Sequence, residues 1–208
     1  MIKLNVILDI DSTIINTVTW EEGSKLLKYY KEDDYYIYQP EGYEKSIIFK
    51  RPTLDVFLEW LFKNCNVSIF THADKDYAMD VIDRFVLTKM DRKLDFIFYR
   101  YHVEFGIKKY SCVKDLRIIW DDFLIFDFYP SNTVLIDDNE VVKRCNLYNT
   151  LQITAFIATD PESLGDKHLL HIKEKLEYLL TIYNKNKGDE AYDVPILKLY
   201  EDNINRIY

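Results

Sequence analysis

Asp9, Ile10, Asp11, Ser12 and Thr13 close an apolar run that starts at Leu4. Two carboxylates two positions apart, just past a strand-like segment, suit a division of labour on a phosphoryl group. The first acid can attack phosphorus and carry an aspartyl-phosphate, which makes Asp9 the candidate nucleophile. Asp11 can protonate the leaving oxygen and then activate the water that breaks the intermediate. Two other apolar runs also end in polar, reactive residues, one at Thr71 and one at Asp137 and Asp138. Acids gathered in one crevice repel one another, and each buried charge is costly unless paired, so a divalent cation is the expected partner. Oxygen-only ligands point to magnesium, which takes one or two carboxylates, several waters and a phosphate oxygen. The Thr71 hydroxyl could hold phosphoryl oxygens, and Lys114, in Val113-Lys114-Asp115-Leu116, is the candidate for neutralising their charge in the transition state.

That crevice requires the three runs to be neighbouring strands. Residues 4–9, 67–71 and 133–138 are almost continuously apolar, as buried strands of a parallel sheet are, and helix-like segments lie between them. The alternation predicts an α/β fold, whose ligands bind beyond the carboxyl ends of the strands. Val56, Leu58, Leu61 and Phe62 recur at helical spacing after Arg51-Pro52-Thr53, where proline and a Thr cap mark the start. A second helix is expected over residues 74–86. A third is expected over 163–183, with Leu169, Ile172, Leu176, Leu179 and Tyr183 on one face. The Tyr-dense residues 29–38, then Gln39-Pro40-Glu41-Gly42, then residues 46–49 read as a hairpin. Residues 96–110, with aromatic strand-like pieces around Gly106, are expected to form a small β insertion. We read residues 1–183 as a single catalytic domain. Residues 184–208 form an extension of no assigned role, whose apolar part at 196–200 could dock on this core or on a partner.

With 208 residues, 48% hydrophobic and 30% charged, the chain can fill a core, which excludes general disorder and a collagen-like repeat. Its net charge of -8 gives no bulk attraction to nucleic acid or to an anionic membrane, so neither is an expected partner. Cys65, Cys112 and Cys145 are too scattered for a disulfide framework and form no C-x-x-C pair for zinc, so reduced thiols and a reducing compartment are expected. Lys3, Asn5 and Asp9 interrupt the first apolar run too early for a signal sequence or a membrane span, which predicts an intracellular protein, cytoplasmic or nuclear, and not a secreted one. The 17 tyrosines and 12 phenylalanines beside only 5 glycines and 5 prolines suit an AT-rich coding genome, such as that of a large virus or a parasite.

Asp9-Ile10-Asp11-Ser12-Thr13 resembles the D-x-D-x-T signature of the haloacid dehalogenase superfamily. The remaining segments resemble its branch of RNA polymerase C-terminal-domain phosphatases, the small CTD phosphatase or NLI-interacting-factor-like proteins. Arg51-Pro52 with Phe57-Leu58 is similar to that branch's R-P-x-x-x-x-F-L helix start, and Phe70-Thr71 with Tyr77-Ala78 to its second motif. Lys114-Asp115-Leu116 resembles the third motif and Leu135-Ile136-Asp137-Asp138-Asn139 the fourth. The resemblance implies a Rossmann-like parallel sheet flanked by helices, without a large cap domain, whose open site admits a phosphorylated peptide. It implies Asp9 as nucleophile, Asp11 as general acid and base, and Thr71 and Lys114 as phosphate ligands. Asp9, the Asp11 carbonyl and Asp138, with Asp137 beside them, would hold magnesium. Some relatives carry Asp-Asn where this chain has Asp137-Asp138, and the stretch ahead of the third motif matches only in part, Arg100 excepted.

The expected reaction is magnesium-dependent removal of phosphate from phosphoserine or phosphothreonine in a protein or peptide, with the polymerase tail as one candidate. A small phosphomonoester, such as a nucleotide or sugar phosphate, would need an enclosure that this chain lacks. A peptide-binding module that has lost catalysis would not keep all these residues. Tyr36 and Tyr38 could line a groove for a proline-containing peptide, or be half-buried hairpin tyrosines. Arg100 could read a second substrate charge, or be an ordinary surface arginine. His168 and His171 read as a solvated helix face, and His72, next to Thr71, could touch the site or be a helix-entry residue. Lys108, Lys109, Lys114 and Arg117 form a basic cluster too small for nucleic acid. Cys112 and Arg117 miss the C-x5-R spacing of cysteine phosphatases by one residue.

Overall fold

The computed structural model describes residues 3–185 and 194–198. In chain order its strands are β1 (Leu4–Leu8), β2 (Ile15–Thr19), β3 (Tyr35–Tyr38), β4 (Ser46–Lys50), β5 (Cys65–Phe70), β6 (Leu94–Phe98), β7 (Thr133–Asp137) and β8 (Thr150–Gln152). Its α-helices are α1 (Trp20–Gly23), α2 (Leu54–Asn64), α3 (Lys75–Val81), α4 (Arg100–Tyr110), α5 (Glu140–Cys145) and α6 (His168–Lys185).

The three apolar runs form the middle of a parallel sheet ordered β6-β5-β1-β7-β8. Every residue of β1 is buried because both faces of the sheet are covered. Leu4, Val6 and Leu8 join the larger core, with Phe57, Leu61, Leu169, Ile172 and Leu176 of α2 and α6. Ile7, pointing the other way, joins Phe70, Phe98, Val103 and Leu135. The chain is thus an α/β fold with helices on both faces. A second, antiparallel sheet ordered β2-β4-β3 is inserted between β1 and α2. It contains the expected hairpin, with Gly42 at φ 79 in its turn, and it is the small β insertion of this fold.

Several expectations need correction. Residues 96–110 are not an insertion: Phe98 ends the edge strand β6, and the Tyr99–His102 cap then starts α4. Val103 and Gly106 lie buried at helical spacing, and a Cβ at Gly106 would meet the Cys112 carbonyl at 3.6 Å. Thr53 occupies the N-cap position of α2, but at φ 67 its side chain makes no capping bond. The helix of residues 74–86 continues past α3 as one wider π-helical turn, Ile82–Val86. The segment from 163 breaks at Asp166, whose carboxylate accepts the His168 amide at 2.9 Å, and α6 starts there. Cys112 and Cys145 are not free thiols: α5 brings its last residue beside the segment after α4, their Cα atoms are 5.8 Å apart and they form a disulfide, while Cys65 stays free.

Beyond α6, Ile196 is buried in the larger core, and the Ile196 and Leu197 amides bond the carbonyls of Pro130 and Tyr148. Residues 199 and 200 of the expected apolar segment lie outside the described residues. No helix of the described residues is long and apolar enough to cross a membrane.

Candidate active site

Leu8 lies in register with Ile69 of β5 and Ile136 of β7, so the three strands end side by side. The polar residues at and just beyond their ends therefore share one edge: Asp9, Thr71 and the Asp137-Asp138 pair. Past Asp9 the backbone turns tightly, with Ser12 at φ 58 and the Ile14 amide on the Ile10 carbonyl, and runs into β2. That turn aims Asp11 back towards α3 rather than into the core.

Lys114 supplies the positive charge. It is buried, and its Nζ lies 2.6 Å from both an Asp9 and an Asp137 oxygen. Asp137 also accepts the Asn139 amide at 2.8 Å. Asp9, Asp137 and Asp138 each offer an oxygen within 4.8 Å of the others, and the Thr13 hydroxyl donates to Asp138 at 3.4 Å. Thr71 is buried, and its hydroxyl oxygen accepts the Ala73 amide at 3.1 Å, leaving its own proton to donate.

One lysine does not neutralise this many acids, and their proton affinities show it. Burial, then the Asp9 charge, push Asp137 up to about 7 against the pull of Lys114. Burial raises Asp11 to about 6, with Asp9 adding to the rise and a hydrogen bond from Tyr77 opposing it. Asp138 is raised by burial and by Asp9. For Lys114, burial favours the neutral amine, but Asp9 and Asp137 outweigh it and hold the ammonium above its ordinary range. The excess negative charge and the all-oxygen donor set fit a divalent cation of the magnesium type.

Asp11 stands apart from the three clustered carboxylates. Its Oδ1 accepts the Tyr77 hydroxyl at 2.7 Å, and the Thr17 hydroxyl lies 2.6 Å from the same phenol. Since Tyr77 donates to Asp11, Thr17 must donate to Tyr77. Burial and the Asp11 charge push the Tyr77 phenol upward, so it remains a donor. Sequence reasoning noted Tyr77 as part of a motif without a role. The available signal was a tyrosine in the first turn of the helix that comes after Thr71.

The remaining candidates lie further out. Tyr38 packs edge-on against Tyr77 with ring centroids 5.3 Å apart, one ring removed from Asp11. Tyr36 packs against Phe85 and under the Arg84 guanidinium. Arg100 pairs with Asp74 at 2.9 Å and reaches the His72 carbonyl, which places it on the loop after Thr71. His168 bonds Asp166, away from the acidic cluster. Arg51, taken from the sequence only as a helix-start signal, is a structural tie. It is fully buried and bonds the Thr13 and Thr154 carbonyls and the Asp166 carboxylate, fixing the turn that carries Asp9 and Asp11.

Comparison with known proteins places the chain among phosphatases. The model of the NLI interacting factor-like phosphatase family matches residues 4–187. The CTD phosphatase-like protein 355R of Invertebrate iridescent virus 6 is 32% identical over 177 residues, covering 83% of this chain and 96% of the relative. Its counterpart in Invertebrate iridescent virus 3 is 30% identical over 190 residues, covering 84% and 96%. The solved structure of Fcp1, an essential RNA polymerase II CTD phosphatase, shares the fold at a TM-score of 0.55 and 19% identity, over 99% of this chain and 63% of that one.

Proposed function

Because the chain belongs to the NLI interacting factor-like phosphatase family, we propose that it is a magnesium-dependent phosphatase acting on phosphoserine or phosphothreonine in a protein or peptide. The observation that carries this reading is the meeting of Asp9 and Lys114 at 2.6 Å, with Asp11 held 2.7 Å from the Tyr77 hydroxyl on the adjoining turn. An Asp9 oxygen attacks phosphorus, and the bond from phosphorus to the seryl or threonyl oxygen breaks. Asp11, carrying a proton, gives it to that leaving oxygen. Asp11, now ionised, takes a proton from water, which attacks the aspartyl-phosphate and frees inorganic phosphate and Asp9. Lys114 and the Thr71 hydroxyl hold the phosphoryl oxygens throughout. Asp9, Asp138 and the Asp11 carbonyl, with Asp137 beside them, would hold magnesium, which when bound supplies further positive charge against those oxygens.

Between β1 and α2 the described residues hold the small antiparallel sheet and short helical turns, and no cap-sized domain. A site without such a cap suits a peptide better than a small phosphomonoester, which needs enclosure to exclude water. The polymerase C-terminal tail, the substrate in the name of Fcp1, is the first peptide to test. We expect magnesium-dependent hydrolysis of phosphoserine peptides that EDTA abolishes. Preference for free nucleotides would favour a small-molecule phosphatase. Peptide binding without any turnover would favour a binding module.

Asp11 sets the pH profile. Its acid form is needed first, so kcat/KM should fall as pH rises through its free-enzyme value of about 6. The Tyr77 hydrogen bond stabilises the carboxylate, so its loss must raise that value further. In Tyr77→Phe the alkaline limb of kcat/KM should move upward by about one pH unit, the weight of one hydrogen bond to a charged group. A limb that stays in place would remove Tyr77 from the acid-base apparatus.

A further inference from the structure

Lys114 is the sole lysine that ion-pairs with the clustered carboxylates among the described residues, yet neither a helix nor a strand carries it. It sits at φ 49, a left-handed backbone conformation that a side-chain-bearing residue keeps only when its surroundings impose it. The surroundings here are specific. The Asn146 amide donates to the Lys114 carbonyl at 3.0 Å, and its oxygen accepts the Leu116 amide at 3.0 Å. Asn146 thus grips the backbone on both sides of Asp115. Its own orientation is fixed by a second donated bond, to the Val142 carbonyl at 3.1 Å. The residue before it, Cys145, is bonded to Cys112, two positions ahead of Lys114. The short helix α5 therefore adjoins Asp137 and Asp138 at its start and ties down the Lys114 loop at its end.

We propose that Asn146 and the Cys112–Cys145 disulfide form one redox-sensitive brace that positions Lys114 for phosphate. The proposal rests on the reading of Lys114 as a phosphate ligand. Both cysteines are partly exposed, so a dithiol can reach the bond. A thiolate of the reagent attacks one sulfur, and its second thiol resolves the mixed disulfide. The reagent leaves as a cyclic disulfide, and Cys112 and Cys145 take up two electrons and two protons between them. With the bond open, the loop keeps the Asn146 hydrogen bonds and the Lys114 ion pairs but loses its covalent tie to α5, and the left-handed turn at Lys114 is freer to relax.

The test compares oxidised wild-type protein with protein reduced by dithiothreitol, with opening of the bond monitored by thiol titration. Binding of inorganic phosphate in the presence of magnesium, read by calorimetry, should weaken about tenfold on reduction. Phosphopeptide KM should rise by a similar factor and kcat should fall with it, because Lys114 holds the phosphoryl oxygens in the transition state as well as in the bound substrate. The Cys112→Ser/Cys145→Ser double variant should behave as the reduced protein and ignore the reductant. Oxidised Asn146→Ala should also bind phosphate more weakly, and it carries the test if reduction melts the fold. Equal phosphate affinity in the two redox states, or in oxidised Asn146→Ala and wild type, overturns the brace. Failure to hydrolyse any phosphomonoester, with phosphate affinity still dependent on redox state, would count against the phosphatase reading and leave the brace standing.

Discussion

Asp9→Asn should lower kcat on a phosphopeptide by at least about a thousandfold, the scale expected when a covalent nucleophile is removed, equivalent to ~4 kcal/mol in the barrier. Asn matches the size of Asp but cannot attack phosphorus as an anion. The fold should survive, because Lys114 keeps its 2.6 Å contact with Asp137 when its partner at position 9 becomes neutral. Loss of the Asp9 charge also removes a repulsion that raises Asp11, Asp137 and Asp138 together, so each should ionise more readily in the variant. The decisive measurement is single-turnover kinetics with acid quench. Labelled phosphate should be trapped on wild-type protein and not on Asp9→Asn, while circular dichroism shows both folded. Wild-type turnover in the variant would reject the covalent mechanism, whatever the substrate. Asp11→Asn makes the complementary comparison: attack by Asp9 remains possible, but the leaving oxygen goes unprotonated.

The acids and the threonine that gather at the sheet edge were legible because local pattern announces them. A buried parallel strand must be apolar almost to its end, so the first polar residue after it marks the sheet edge, as at Asp9, Thr71 and Asp137. What the pattern could not give is anything set by contacts across the chain. Tyr77 meets Asp11 over 66 positions, and Arg51 meets Asp166 over 115. The Cys112–Cys145 bond was missed for the same reason, since it spans 33 positions and no motif spacing encodes it. Residues 96–110 misled in a different way. Their aromatic alternation fits a strand, but a side-chain cap at Tyr99 and His102 switches the period to helical within two residues. At Lys114 the sequence named the residue, and only the fold explains how a loop lysine is held at a fixed place.

Asp166→Ala should destabilise the protein by about 3 kcal/mol, because breaking a buried ion pair on one side leaves the other charge uncompensated. The charge left behind is Arg51, which is fully buried with its guanidinium 2.8 Å from Asp166. The Thr13 and Thr154 carbonyls and the Phe156 ring would remain to it, and none of them carries a formal charge. In a chain of 208 residues this should lower Tm by roughly 6–12 °C. Replacing the pair as a unit, Arg51→Met with Asp166→Leu, should recover most of the loss, since the desolvation of both charges is then relieved together. The pH dependence has a definite sign. Burial raises the Asp166 carboxyl, but Arg51 and His168 outweigh it and hold it below the usual carboxylate range. A depressed value means that the stabilisation is complete above the unfolded carboxylate value of about 3.9 and is lost as pH falls through the folded one. The gap in unfolding free energy between wild type and Asp166→Ala should therefore be widest near neutrality and close progressively below about pH 4. Because Arg51 also holds the Thr13 carbonyl, at 2.9 Å, the same variant loosens the turn between Asp9 and β2. Its kcat should fall even at temperatures where it is fully folded, and a variant that lost stability alone would show that Arg51 holds the fold without holding the site.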